Sequence, residues 1–205
     1  MRLKDIRIGT QLKIGLGIIL LFVVLLGAVA WWQTDQLWQE TQGLYDHPLM
    51  VRRAVGELKA DALIIHRGMK DMILAKNEPG RQQALLTMDA SEADSERQFA
   101  LLFDRYLGPA GDIEAAQEAF LQWKTIRNET LRLLREGDVA QATDRVMPAG
   151  VGGMQAEKAL AAVAVIDSFA RDRGDQFYQD ATKRNRSLNM TLWVFMCSTI
   201  KSPII

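Results

Sequence analysis

The sequence predicts an all-α protein: an up-down-up-down antiparallel four-helix bundle continuous with an N-terminal transmembrane helix. Three observations predict it. An uninterrupted apolar run extends from Ile14 to Trp32, and apolar residues from Val51 to Met72 recur at alternating spacings of four and three. Later apolar stripes keep helical spacing between Pro- and Gly-bearing turns, and no β-branched cluster alternates as a strand series does.

At a rise of 1.5 Å per residue, the run from Ile14 to Trp32 spans roughly 28 Å as a helix, about the thickness of a bilayer's hydrocarbon core. Arg2, Lys4, Arg7 and Lys13 precede it against a single Asp5, and Asp35, Glu40 and Asp46 follow it. The positive-inside rule therefore places residues 1–13 in the cytoplasm and residues 33–187 outside. Ala28-Val29-Ala30 has the small-x-small form of a signal-peptide cleavage site, but the run exceeds the usual h-region and ends in Trp31-Trp32, which suit an interfacial aromatic belt. Retention as an anchor is the expectation.

A second apolar run, residues 188–200, reads as the opening of another transmembrane helix, too short to span. Its alternative is a packed C-terminal turn. The tail 201–205 contains Pro203, which breaks the helical pattern.

The first arm, Gln33 to Ala75, reads as a long amphipathic helix with a kink or break at His47-Pro48. Its seam is Val51, Val55, Leu58, Ala62, Ile65, Met69 and Met72, a heptad pattern suited to knobs-into-holes packing and expected to carry a dimer. Pro79-Gly80 is expected to turn the chain into a second helix, Arg81 to Leu107, with the stripe Leu85, Met88, Phe99, Leu102 and Tyr106. Glu92 and Ser95 dilute that stripe in register. After the turn 108–111, Asp112 is placed to N-cap a third helix through Arg135, with Phe120, Trp123, Leu131 and Leu134 on its apolar face. Val139 to Val146 adds a short helix, and Gly150 to Gly153 reads as a flexible turn before a final helix from about Met154.

Composition narrows the function. The chain of 205 residues leaves room for one outer domain, and 25 basic against 25 acidic residues give no basic excess for nucleic acid. Cys197 is the only cysteine, so no disulfide forms within one chain. His47 and His66 are several turns apart without ligand partners, which argues against metal, haem or any other cofactor. His47 is read as capping the kink and His66 as lying on a polar face. No Ser/His/Asp or Cys/His arrangement suggests catalysis. The basic residues of the first arm, Arg52 and Arg53, then Arg67 and Lys70, are able to hold a carboxylate; charge alone favours a solvated face with pairs such as Arg67 to Asp71.

The run Leu44-Tyr45-Asp46-His47-Pro48-Leu49, then Ala60-Asp61 and His66-Arg67-Gly68-Met69-Lys70-Asp71, resembles the four-helix-bundle sensor domain of methyl-accepting chemotaxis proteins, a module shared with sensor histidine kinases and diguanylate cyclases. The resemblance covers the transmembrane helix and most of residues 33–187. It implies a periplasmic bundle on the bacterial inner membrane, a parallel homodimer, and a small molecule bound between helices near the membrane-distal end. It further implies that binding shifts the last helix and, through the second span, an output domain. No such domain follows Ile200, so the sequence reads either as truncated or as aberrantly ended, with a non-native-looking tail at 201–205. Dimer-interface arginines of the family map to Arg67 and Lys70, which with Arg53, further along the same helix, form the expected site for a carboxylate-bearing ligand.

Two function classes therefore compete: a ligand-binding input module without catalytic activity, and a membrane-anchored assembly protein that binds another protein through its seam. A polar-lined cleft between the first and fourth bundle helices separates them, favouring the first.

Overall fold

The four-three spacing of the first arm becomes one buried edge of a helix. In the computed structural model, which describes residues 8–200, α1 (Ile8–Leu44) is followed by a π-helical turn (Tyr45–Leu49) and α2 (Met50–Leu74). Then come α3 (Glu78–Arg105), α4 (Ala110–Glu136), the short α5 (Val139–Val146) and α6 (Val151–Ile200). Side chains are described except at 8, 11, 40, 188, 191, 192 and 194–200. The basic flank before Ile8, the tail from Lys201 and the Cys197 side chain lie outside the description. So do most side chains of the second apolar run.

The chain falls into two units, α1 up to Gly43 and the bundle from Leu44. Within α1, every residue from 14 to 32 whose side chain is described is exposed. The helix is long and apolar enough to cross a membrane.

In the bundle, α2 packs along α3 and α4 along α6, α2 and α6 close a third side, and the α3–α4 side is the loosest. The expected up-down-up-down arrangement is present, with α5 tucked beside α2, α4 and α6. One core cluster joins Val51, Val55 and Leu58 to Phe99, Leu102, Ile113, Val163 and Ile166. A second, at the α5 end, joins Met69 and Met72 to Met88, Leu131, Leu134 and Val146. Between them only Ala62, Ile65, Trp123 and Ala156 form a small apolar patch.

These clusters correct the role of the seam. All seven of its residues are buried inside one protomer. A stripe consumed by the bundle's own core has no surface left for a second chain.

Helix boundaries follow local chemistry, with three further corrections. The kink at His47-Pro48 is the π-turn: Pro48 lacks an N–H, and His47 Nδ1 donates to the carbonyl of Arg105 at 3.0 Å, so His47 ties the kink to α3. Pro79-Gly80 lies inside the first turn of α3, because Asn77 caps it by accepting from the Gly80 N–H at 2.9 Å and proline suits the opening positions. Asp112 sits within the first turn of α4 and accepts from the Tyr106 hydroxyl at 2.7 Å, while Pro109 occupies the cap position.

The Gly150–Gly153 segment is a close approach and not a flexible turn. A Cβ on Gly150 would lie 2.0 Å from the Asp144 carbonyl oxygen, and one on Gly153 would lie 2.2 Å from that of Met147. Gly137, at φ 89°, ends α4 in the left-handed conformation that glycine adopts without penalty.

Candidate functional site

The middle layer of the bundle is polar where its neighbours are apolar. Asp61 on α2 is only 6 % exposed and accepts from the Ser95 hydroxyl of α3 at 3.3 Å. Burial, reinforced by the nearby Asp94 and opposed by hydrogen bonds from Ser91 and Ser95, pushes its carboxyl up to about 6. Ser91, Ser95, Arg127 and Thr130 are the other buried polar residues among those described. Thr130 accepts from Arg145 Nε at 3.0 Å and donates to the Ile126 carbonyl at 2.8 Å, which joins α5 to α4.

Where α3 and α4 splay, this layer opens into a shallow cleft of about 60 Å³. Ile65 is its floor and Phe99, Phe120 and Trp123 its apolar wall, with Ser95, Glu92, Glu96, Lys124 and Arg127 on its polar side. Phe120 meets Phe99 edge-on at 5.2 Å and Trp123 edge-on at 6.1 Å. An adjoining recess adds Asp89 and Asn128.

Glu92 organises the charge. It pairs with both Arg127 and Lys124 across the gap between the helices. Arg127 is 7 % exposed and Glu92's side chain 16 %. Burial lowers the Arg127 guanidinium below its ordinary range, partly offset by Asp89, and the Glu92 carboxylate supplies the partner a buried cation requires. Glu92, which the sequence reading treats as a dilution of an apolar stripe, is thus the hinge of the site. Its register position beside Ser95, facing a helix that carries Lys124 and Arg127, was the available signal.

The expected site residues lie elsewhere. Arg67 is 83 % exposed and pairs with Asp71 at 3.5 Å, the one-turn pairing that charge spacing favours. Arg53 is exposed and Lys70 half-buried, and none of the three lines the α3–α4 cleft. Burial, with the Lys70 charge adding to it, lowers the imidazole pKa of His66, which stands 6.4 Å from Trp123 and is half-buried rather than on an open polar face. The polar-lined cleft lies between the second and third bundle helices, not between the first and fourth.

The second relevant surface is the outer edge of α2 and the π-turn. Leu49, Gly56, Ala60, Leu63, Arg67 and Leu74 recur at heptad-compatible spacing, and all are exposed. Leu63 is 61 % exposed, and nothing lies within 4 Å of a Cβ built on Gly56.

No group of metal-ligating side chains occurs among the described residues. A helical bundle following an exposed apolar helix, with a small mixed-polarity cleft between helices, defines a class: a helical binding or signalling module. The chain belongs to the family described as a four helix bundle sensory module for signal transduction, which matches residues 5–184. Neither a curated protein nor a solved structure matches it.

Proposed function

We propose that this chain is the ligand-sensing and transmembrane input region of a bacterial chemoreceptor-like receptor. In this reading residues 14–32 hold it in the inner membrane and residues 33–187 lie in the periplasm. It is not an enzyme, and its task is to convert occupancy into helix position. The sensory-module match across residues 5–184 carries this reading. The exposed apolar stretch of α1 supports the anchor.

The chain works as a homodimer joined through the exposed edge of α2. Leu49, Leu63 and Leu74 supply apolar knobs, while Gly56 and Ala60 let the two backbones approach. Arg67 lies on this stripe and Arg53 and Lys70 flank it, so a dimer brings two sets of cations together. That is the reason to expect a small carboxylate-bearing ligand there, held by a guanidinium fork.

Coupling runs through Asp167 on α6, which accepts from Lys59 Nζ on α2 at 2.8 Å. Arg52 of α2 also pairs with it, at 3.7 Å. A ligand that prefers one spacing of the paired α2 helices biases α6, which runs on past Ala170, the last buried residue among its described side chains, to Ile200.

The orientation is tested by placing cysteine at exposed Lys76 in a Cys197→Ser background. Membrane-impermeant maleimide should label it in intact spheroplasts; protection until the membrane is permeabilised would put the bundle inside the cell.

A further inference from the structure

We propose that the α3–α4 cleft is a second ligand site, complete within each protomer, and that it takes a small organic monocation: an ammonium group on a compact apolar body.

The shape comes from packing. The α3–α4 side is the loosest of the bundle, and the middle layer has little apolar filling to draw those helices together. The gap retains an aromatic wall of Phe99, Phe120 and Trp123 over Ile65. Such a wall favours an apolar body, and its ring faces attract a cation.

The sign comes from the charges. Lys124 and Arg127 are both already paired with Glu92. Asp89 and Glu96 also border the two recesses, and Glu96 has no ion-pair partner among the described residues. Three carboxylates thus face two cations, a surplus of one negative charge. An incoming carboxylate would have to displace Glu92 from a buried guanidinium. An incoming ammonium meets Glu96 and Asp89 without breaking a pair, and its apolar body covers the wall.

This proposal does not depend on the dimer, so the two readings fail separately. The full chain in nanodiscs is titrated calorimetrically with benzylammonium and phenyltrimethylammonium, and in parallel with phenylacetate and with zwitterionic phenylalanine. Both cations should bind with one site per protomer and a Kd of about 1 mM or tighter. Glu96→Gln should weaken them about three- to tenfold at unchanged melting temperature. Glu57→Gln, at an exposed carboxylate of α2 away from the cleft, should leave them unchanged. Leu121→Trp, which fills the mouth, should abolish binding. Absence of cation binding overturns the proposal, as does tighter binding of phenylacetate or phenylalanine, or equal weakening by Glu57→Gln. So does cation binding indifferent to both Glu96→Gln and Leu121→Trp.

Discussion

Lys59 Nζ on α2 lies 2.8 Å from Asp167 Oδ2 on α6, and this contact links the helix with the unpartnered stripe to the helix that runs on to Ile200. Burial alone would raise the Asp167 carboxyl, but the Lys59 hydrogen bond, with Arg171 and Arg52 nearby, holds it below the usual carboxylate range. A depressed carboxyl contributes stability that is present above the unfolded pKa near 3.8 and is lost as pH falls through the folded value.

Asp167→Asn should therefore lower stability at pH 7 by about 0.5–1.5 kcal/mol, and the deficit should shrink below pH 4. Urea unfolding of the wild type and variant at both pH values measures this. An equal deficit at both would mean that the contact acts through packing and not charge.

Asp61 gives the opposite sign. Its folded carboxyl is raised to about 6 from 3.8, so the folded state binds the proton more tightly than the unfolded state. Stability from this group is greatest below the unfolded value and is lost as pH rises through the folded one. Asp61→Asn should be more stable than wild type at pH 7.5, by up to about 3 kcal/mol, with the gain fading towards pH 4. Thermal melts across pH 4 to 7.5 check the window.

The glycine segment before α6 should tolerate little. Gly153→Ala places a methyl against the Met147 carbonyl and the Pro148 Cα, both backbone atoms that cannot swing aside. A loss of about 1–3 kcal/mol is expected, whereas Gly56→Ala, which lies inside α2 and meets nothing, should stabilise the protomer by about 0.5–1 kcal/mol. Chemical denaturation of both variants distinguishes close packing from mere flexibility.

The two faces of α2 should separate fold from assembly. Leu58→Ala empties a fully buried position between α2, α3 and α6 and should cost about 2–5 kcal/mol. Leu63→Glu lies on the exposed stripe and should leave the melting temperature of the bundle nearly unchanged while lowering the dimer fraction in analytical ultracentrifugation.

How much of this was legible in the sequence divides along one line. Val51 to Met72 announced a helix with one buried edge because heptad spacing is a property of a single chain. The partner of that edge was not announced: α3 and α6 supply it, and the outer stripe of Leu49, Gly56, Ala60 and Leu63 escaped notice because two of its members are small. The short helix Val139–Val146 and the break at His47-Pro48 followed from punctuation by Gly137-Asp138 and by proline. The cleft was not legible. Glu92, Lys124 and Arg127 belong to different helices, and only the splay of α3 from α4 makes them one site. Gly152 and Gly153 read as flexibility because sequence does not display the carbonyls of Arg145 and Met147 that approach them.

In the proposed homodimer the exposed edge of α2 meets its own copy outside the bilayer. Cysteine at Ala60, in a Cys197→Ser background, is the most direct test, because seam positions of paired helices approach within the roughly 4.4–6.8 Å between Cα atoms that a disulfide requires. Mild oxidation of native membranes should give a disulfide-linked dimer for Ala60→Cys and none for cysteine at Leu86, exposed on α3. Monomer only at Ala60, or equal cross-linking at both positions, would contradict the account.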